Sequence, residues 1–399
     1  MKKSIKIKDN IYWVGVNDFE TKLFEALWPL PYGVSYNSYL ILGENNILID
    51  TVKYSKIDNL LENIQSNLGN KKLDYLIINH MEPDHSGSIK ILTKIFPDLK
   101  IIGNKKTISL LNDFYSINKN VIEVNDKETI NINGYSFQFF LTPMVHWPET
   151  MLTYELNNKI LFSGDVFGGF GTLNGGIFDD EVDLQFYENE IRRYFSNIIG
   201  KYCNMVQKAL EKIKNIEIKM IASTHGPIFR TNPCYIIDKY DKWSKHESEC
   251  GVVVAYASMY GNTQIMAETV ARSLSENGIK KIRLYNVSNT HSSFIINDIW
   301  QFKGLILGSC TYNTKIFPHM NSLLCLLDND KLLNKYLGIF GSYSWSGGAL
   351  KRLKDFSENG EFEIISPDIE SKSHPTDTDL EKCYELGKNM AQKLINCNL

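Results

Sequence analysis

Four potential metal ligands fall within the six residues His80-Met81-Glu82-Pro83-Asp84-His85, directly after the apolar run Leu76 to Asn79. Pro83 disfavours a helix here, and at about 100° per residue a helix would turn His80 and His85 roughly 140° apart. In a loop at the carboxyl end of a strand, positions i, i+2, i+4 and i+5 can instead fold around a metal. Similar junctions carry His146 in 142-TPMVHWPET-150, Asp165 in 162-FSGDVFGG-169 and His225 in 222-ASTHGPIF-229. A lone histidine in such a place is more often a loop cap, but seven donors at strand ends suffice for two metals about 3.5 to 4 Å apart if one carboxylate bridges them. Asp165 is the expected bridge, because it is the lone carboxylate contributed between two histidine-bearing loops. His246, His291, His319 and His374 sit in helical or polar contexts and are read as structural or surface residues.

The chain has two grammars. Up to about Tyr240, short strands (37–43, 46–50, 74–79, 99–103, 135–141, 151–156 and 159–164) mix with helices expected at 56–67, 86–96, 105–113 and the long amphipathic stretch 184–213. A polar helical linker, 232–250, leads to a boundary near Cys250, giving expected domains 1–249 and 250–399. Beyond it, apolar strands at 251–257, 281–287, 304–309 and 336–342 alternate with helices starting at Thr263, Phe317 and Gly348, and a last helix spans about 377–394. That is the pattern of a doubly wound parallel sheet, buried on both faces.

Such a sheet binds its ligand outside the carboxyl ends of its strands. Three loops lie there: 258-SMYGNT-263, 309-SCTYNT-314 and 342-SYSWSGGA-349. The first runs into a helix whose amino-terminal amides can hold a phosphate without a lysine; the third offers aromatics able to stack on an isoalloxazine ring. One Ser/Thr/Gly loop by itself is more often a helix cap. Three at successive strand ends are better explained as one site.

The series His80-x-Glu82-x-Asp84-His85, His146, Asp165, His225 resembles the metallo-β-lactamase superfamily, whose first motif normally reads His-x-His-x-Asp-His. Glu82 at the second histidine, together with 146-HWPETM-151 and 163-SGDVFG-168, is the pattern of the flavodiiron proteins, or A-type flavoproteins. A carboxylate there makes the site harder and more anionic, which suits iron redox cycling better than zinc hydrolysis. The second half resembles flavodoxin. The resemblance spans essentially the whole chain and implies an α/β fold: an amino-terminal metallo-β-lactamase-like αββα sandwich followed by a flavodoxin-like doubly wound parallel sheet.

It further implies FMN and an oxo- or hydroxo-bridged diiron centre, with His80, Glu82 and His146 on one iron, Asp84, His85 and His225 on the other, and Asp165 shared. Tyr194 matches a family tyrosine near the diiron pocket, although a half-buried helix tyrosine reads the same way. Ser258, Met259, Tyr260, Gly261, Asn262 and Thr263 resemble the phosphate loop; Ser309, Thr311, Tyr312, Asn313, Ser342, Tyr343, Ser344, Trp345 and Gly347 resemble the ring and ribityl contacts. Family members often carry proline where Cys310 stands and glycine where Ser344 stands. The implied activity is reduction of dioxygen to water, of nitric oxide to nitrous oxide, or both, by a head-to-tail homodimer or dimer of dimers. The implied donor is rubredoxin with its reductase, a fused-flavoprotein partner or a reduced deazaflavin. A metallohydrolase with an accessory flavodoxin-like module is the alternative.

Composition excludes other classes. The net charge of −3 and the lack of a dense Lys/Arg run argue against nucleic acid. No window reaches a membrane span and no apolar segment follows the first lysines, so no membrane partner and a cytoplasmic location are expected. Seven scattered cysteines without a C-x-x-C pair exclude a zinc ribbon or rubredoxin-like iron site. Gly169 and Gly171 begin a G-x-G-x-x-G spacing that fails at Asn174, so no intrinsic NAD(P)H site is expected.

Overall fold

The computed structural model describes residues 4–396 and divides into two compact units, the first ending at Ser244 and the second beginning at Lys245. The division falls a few residues before the expected change at Cys250. His246 and Ser248 already belong to the second core: the His246 ring packs on Trp300, centroids 5.3 Å apart, and Ser248 Oγ accepts from Lys335 Nζ at 2.7 Å.

The first unit holds two main sheets. One runs in the order Ile5–Lys8, Ile11–Trp13, Tyr39–Ile41, Ile47–Ile49, Tyr75–Ile77, Lys100–Gly103, Val121–Glu123, antiparallel up to Ile47–Ile49 and parallel beyond it. The other runs Thr129–Ile132, Tyr135–Leu141, Met151–Glu155, Ile160–Gly164, Met220–Ser223, with only the last pair parallel. Tyr39 of the first sheet packs on Phe162 of the second, ring centroids 5.2 Å apart. The central strands are buried on both sides, which is why they read as continuous apolar runs. Helix Ile57–Leu68 buries Ile57, Leu60, Ile64 and Leu68, and helix Cys203–Ile213 buries Val206, Ala209 and Ile213, each along one stripe. This is the αββα arrangement.

Three local expectations are corrected. Pro83 does not exclude a helix: it opens the single turn Pro83–Ser86 at the first position, where its missing N–H costs nothing. The stretch 184–213 is not continuous. It comprises helix Leu184–Tyr194, a π turn Phe195–Ile199, a 3-10 turn Gly200–Tyr202 and helix Cys203–Ile213. Ser196 Oγ and Asn197 Nδ2 donate back to Arg193 O at 3.2 and 2.7 Å, which draws the ladder out of register at Tyr194. The strand expected to end at Ser309 continues, as Phe302–Tyr312, into a hairpin with Lys315–Ile316.

The second unit is a parallel sheet in the order Ile282–Asn286, Glu249–Ala257, Phe302–Tyr312, Leu333–Tyr343, Glu361–Ile364, with Ile369–Lys372 also beside Leu333–Tyr343. Helices Asn262–Glu276 and Asp377–Asn396 bury Met266, Val270, Leu274, Leu386 and Met390 in one core with Val252, Val254 and Ile306. Helix Ser292–Gln301 and the strands Glu361–Ile364 and Ile369–Lys372 were not legible in the sequence; the first strand is mostly exposed, and the second alternates buried and exposed but gives one buried position to Ser371. Among the described residues, no helix is long and apolar enough to cross a membrane.

The buried His246 gives an acid-lability prediction. Burial, reinforced by the Lys335 charge, pulls its imidazole down to about 4. An unfolded histidine titrates near 6.5. Between those values the unfolded chain binds more protons, so the stabilising contribution of the neutral ring is complete above about pH 6.5 and is lost as pH falls towards 4. His246→Phe, which keeps an aromatic ring against Trp300, is expected to lessen the second unit's destabilisation at pH 4.5 by ~1 kcal/mol, read as a smaller shift of the urea midpoint between pH 7 and 4.5.

Candidate metal centre and flavin cradle

The strand Tyr75–Ile77 delivers its loop to a fixed exit: Asp50 Oδ1 accepts from Asn79 N at 2.7 Å and Oδ2 from Asn79 Nδ2 at 2.8 Å. His80 and Glu82 precede the Pro83 turn; Asp84 and His85 lie on it, with His85 N donating to Glu82 O at 2.9 Å. Because the helix begins only after Glu82, the divergence expected of a continuous helix does not arise. The parallel pairing of Ile160–Gly164 with Met220–Ser223 places Asp165 and His225 side by side at adjacent strand ends, while His146 comes from the turn between Tyr135–Leu141 and Met151–Glu155.

All seven predicted donors converge, in two sets. His80, Glu82, His146 and Asp165 form one and Asp84, His85 and His225 the other, with donor atoms in each set within 4.8 Å of one another. Asp165 reaches both. Its Oδ2 lies 3.2 Å from His146 Nε2 and 3.4 Å from His80 Nε2; its Oδ1 lies 3.0 Å from His85 Nε2 and 3.7 Å from His225 Nε2.

This donor set fits a cation. His225 Nδ1 faces Ser35 O at 2.7 Å, and a carbonyl can only accept, so Nδ1 carries the proton and Nε2 turns a lone pair inward. His80 Nδ1 faces the Glu149 carboxylate at 2.8 Å with the same consequence. Neither Asp84 oxygen has a donor in hydrogen-bond geometry, although Oδ2 is 3.2 Å from His85 Nε2 and 3.3 Å from His225 Nε2. Buried lone pairs that face carboxylates call for a positive charge between them. The titration behaviour agrees. Burial opposes the charged form of every group, yet the carboxylates hold His80 and His85 well above the usual range and His146 at about 9, while the histidines hold Asp84 and Asp165 below theirs.

Tyr194 is fully buried and its hydroxyl has no hydrogen-bond partner; burial and the charges of Asp165, Glu82 and Asp84 push the phenol well above 10. Its ring lies 5.5 Å from that of His225 and 5.1 Å from Phe170. Phe24, on the hairpin Leu23–Phe24/Trp28–Pro29, packs on both Tyr194 and His225.

The supporting residues were missed. Glu149 sits inside the motif 146–151 but touches His80, sixty-nine positions away; Ser35 and Thr224, whose hydroxyl donates to Asp165 Oδ1 at 2.6 Å, carry no sequence signal of their own. Glu149 Oε1 also accepts from Met81 N at 2.8 Å. Partners of this kind typically account for a 10- to 100-fold difference in metal affinity. Glu149→Ala is expected to cost roughly that in metal retention, measured by chelator competition, with Glu149→Gln recovering part of it.

In the second unit the three predicted loops come together. A small polar cavity of about 50 Å³ is lined by Ser258, Met259, Tyr260, Asn262, Thr263, Thr311, Ser342, Tyr343 and Ser344, and also by Cys310 and Ser373, which were not predicted. A larger one of about 660 Å³ is lined by Tyr312, Asn313 and Gly347, with Lys315, Lys351 and Arg352 among the additions. Thr263 and Ser342 hydroxyls bond at 2.9 Å and tie the first loop to the third. Gly261 caps helix Asn262–Glu276 at φ 92°, a left-handed conformation that glycine takes without strain. Three predicted residues, Gly261, Ser309 and Trp345, line neither cavity. The buried Ser309 hydroxyl donates to Cys310 O at 2.9 Å and accepts from Phe317 N at 3.4 Å. Trp345 is 84% exposed. A hydroxyl-rich pocket at a helix amino terminus, beside a roomier cavity that has Tyr312 in its wall, suits a flavin mononucleotide.

A metallo-β-lactamase-like unit with a two-set His/carboxylate centre, joined to a flavodoxin-like unit, defines a two-domain metal and flavin protein. Residues 34–226 match the ODP family beta lactamase and residues 254–387 match Flavodoxin. Over 397 residues the chain is 33% identical to the anaerobic nitric oxide reductase flavorubredoxin of Escherichia coli O1:K1, covering 98% of this chain and 82% of that one. It superposes on rubredoxin oxygen:oxidoreductase of Desulfovibrio gigas with a TM-score of 0.94 at 29% identity, over 99% of each chain. The flavodiiron protein of Giardia intestinalis gives 0.94 at 28% identity, over 99% of this chain and 97% of that one. The chain belongs to the flavodiiron protein family.

Proposed function

We propose that this protein is an oxidoreductase that takes electrons from an external donor through FMN to a diiron centre and there reduces dioxygen to water, nitric oxide to nitrous oxide, or both. The observation that carries this reading is Asp165, one oxygen towards each of two donor sets, with Glu82 in place of the histidine normal to lactamase-like hydrolases. His80, Glu82 and His146 would hold one iron, Asp84, His85 and His225 the other, and Asp165 both. Once bound, FMN supplies two-electron acceptance with one-electron release, and the irons supply one-electron redox steps with open positions for a diatomic ligand.

The chain's own residues set the conditions. Three carboxylates make the donor set hard and anionic. Glu149 and Ser35 fix the tautomers of His80 and His225. Phe24 and Phe170 form an apolar wall around Tyr194, whose unpaired hydroxyl is free to donate a hydrogen bond within the pocket. Reduction of one dioxygen consumes four electrons and four protons; pairing two nitric oxides consumes two of each and releases one water.

We further propose a head-to-tail homodimer, or a dimer of such dimers, acting in the cytoplasm with a rubredoxin-type protein or a reduced deazaflavin as donor. Exposed apolar side chains support the contact. In the first unit Leu23 and Leu27 are each 45% exposed on the hairpin that carries Phe24; in the second, Tyr260 at the phosphate loop is 90% exposed. Metal and flavin stoichiometry, followed by anaerobic reduction and separate pulses of the two gases, tests the function. Two irons and one FMN per subunit with fast reoxidation by at least one gas is expected; two zincs with esterase turnover would establish the hydrolase instead.

A further inference from the structure

The small polar cavity contains no lysine, arginine or histidine in its wall. A dianionic phosphate held there would rely on hydroxyls, amides and the helix Asn262–Glu276 amino terminus. Just outside the wall stands an imidazole that the sequence reading assigned to no site: His374 Nδ1 lies 3.1 Å from Asn262 Oδ1.

The direction of that bond has a consequence. An amide oxygen can only accept, so His374 Nδ1 donates, and the Asn262 amide is turned with its Nδ2 hydrogens on the opposite side. Asn262 lines the cavity as the first residue of its helix. The imidazole is held in place by its backbone rather than by burial. Ser373, which lines the cavity at a left-handed φ of 63°, donates its N–H to Tyr343 O at 2.7 Å. On the other side, Asp379 Oδ2 accepts from Thr376 N at 3.0 Å, Thr376 Oγ1 at 2.9 Å and Ser371 Oγ at 3.1 Å. The segment between Ser371 and Asp379 is thus pinned at both ends beside the phosphate loop.

We propose that His374 is a phosphate-positioning residue: by donating to Asn262 Oδ1 from the segment pinned through Ser373 and Asp379, it presents the Asn262 amide hydrogens to the FMN phosphate. The inference rests on the FMN reading and adds to it a discrimination between phosphorylated and unphosphorylated flavin. Since the contact is with the phosphate side alone, its removal weakens FMN and leaves riboflavin untouched.

The test uses the full-length chain stripped of flavin, with FMN and riboflavin affinities measured by fluorescence quenching for the wild type, His374→Ala, His374→Gln, Asn262→Ala and the double variant. His374→Ala is expected to weaken FMN about tenfold, the scale of one hydrogen bond serving a charged group, while riboflavin changes less than about twofold. His374→Gln, which keeps a donor, recovers part of the loss. In the Asn262→Ala background the His374 substitution costs little further, as coupling through one bond requires. Unchanged FMN affinity, or equal weakening of FMN and riboflavin, overturns the inference while leaving the flavin reading intact. A wild-type chain that binds neither flavin overturns both.

Discussion

Asp165→Ala is expected to abolish iron binding at both positions, because the one carboxylate shared by the two donor sets is gone. Its oxygens lie 3.2 Å from His146 Nε2 and 3.0 Å from His85 Nε2, so truncation removes an anion from each set at once. It also strips the partner from the Thr224 hydroxyl. With the redox metals lost, gas reduction is expected to fall on the order of a thousandfold, to the slow direct reaction of reduced flavin. FMN remains at one per subunit, since the flavin loops lie in the other compact unit. Metal analysis and flavin absorbance on the same sample check both halves. Asp165→Asn, which keeps the shape and one carbonyl-type oxygen, is expected to retain less iron than wild type and more than the alanine variant.

Gly348→Ala produces the reverse pattern. A Cβ at Gly348 would stand 2.2 Å from Thr314 O, far inside van der Waals contact, and the obstacle is backbone rather than a movable side chain. Gly348 lies where the third flavin loop meets the 312–316 hairpin, and the next residue, Ala349, donates its N–H to Thr311 Oγ1 at 3.2 Å. The clash therefore forces apart two loops that line the larger cavity together. FMN affinity is expected to fall at least about thirtyfold, a loss of ~2 kcal/mol that sits within the usual cost of overpacking. Iron content stays at the wild-type value, and donor-supported turnover falls with flavin occupancy. Each variant thus loses one cofactor and keeps the other.

The seven metal donors were legible because they fall in the short loops that follow or join apolar strands, and strand ends are where a sheet collects its loops. Their division between two sets was legible only through the family resemblance. The geometric reason for it, a one-turn helix opened by Pro83, was hidden because proline was read as a breaker when it occupies the one helical position that suits it. The three flavin loops were visible for the same reason as the donors. Ser373 was not, because it follows a strand whose buried positions are Ile369 and Ser371 and so show no apolar pattern; Cys310, inside the second loop, stood out only for the proline it replaces. Glu149, Ser35 and Thr224 were invisible in principle, since contacts across scores of residues leave no local pattern. The expected continuous helix 184–213 missed the π turn that follows Tyr194, made by short polar side chains bonding back to Arg193 O.

The central claim is that electrons leave the flavin through the metal centre. Stopped-flow reoxidation of the anaerobically reduced holoprotein, beside reduced Asp165→Ala with equal FMN, tests it most directly. The account predicts flavin reoxidation at least about a hundredfold faster in the holoprotein with dioxygen or nitric oxide, the difference vanishing as iron is removed. Equal rates in the two proteins with both gases would contradict it, because the flavin would then be reacting without the site that Asp165 joins.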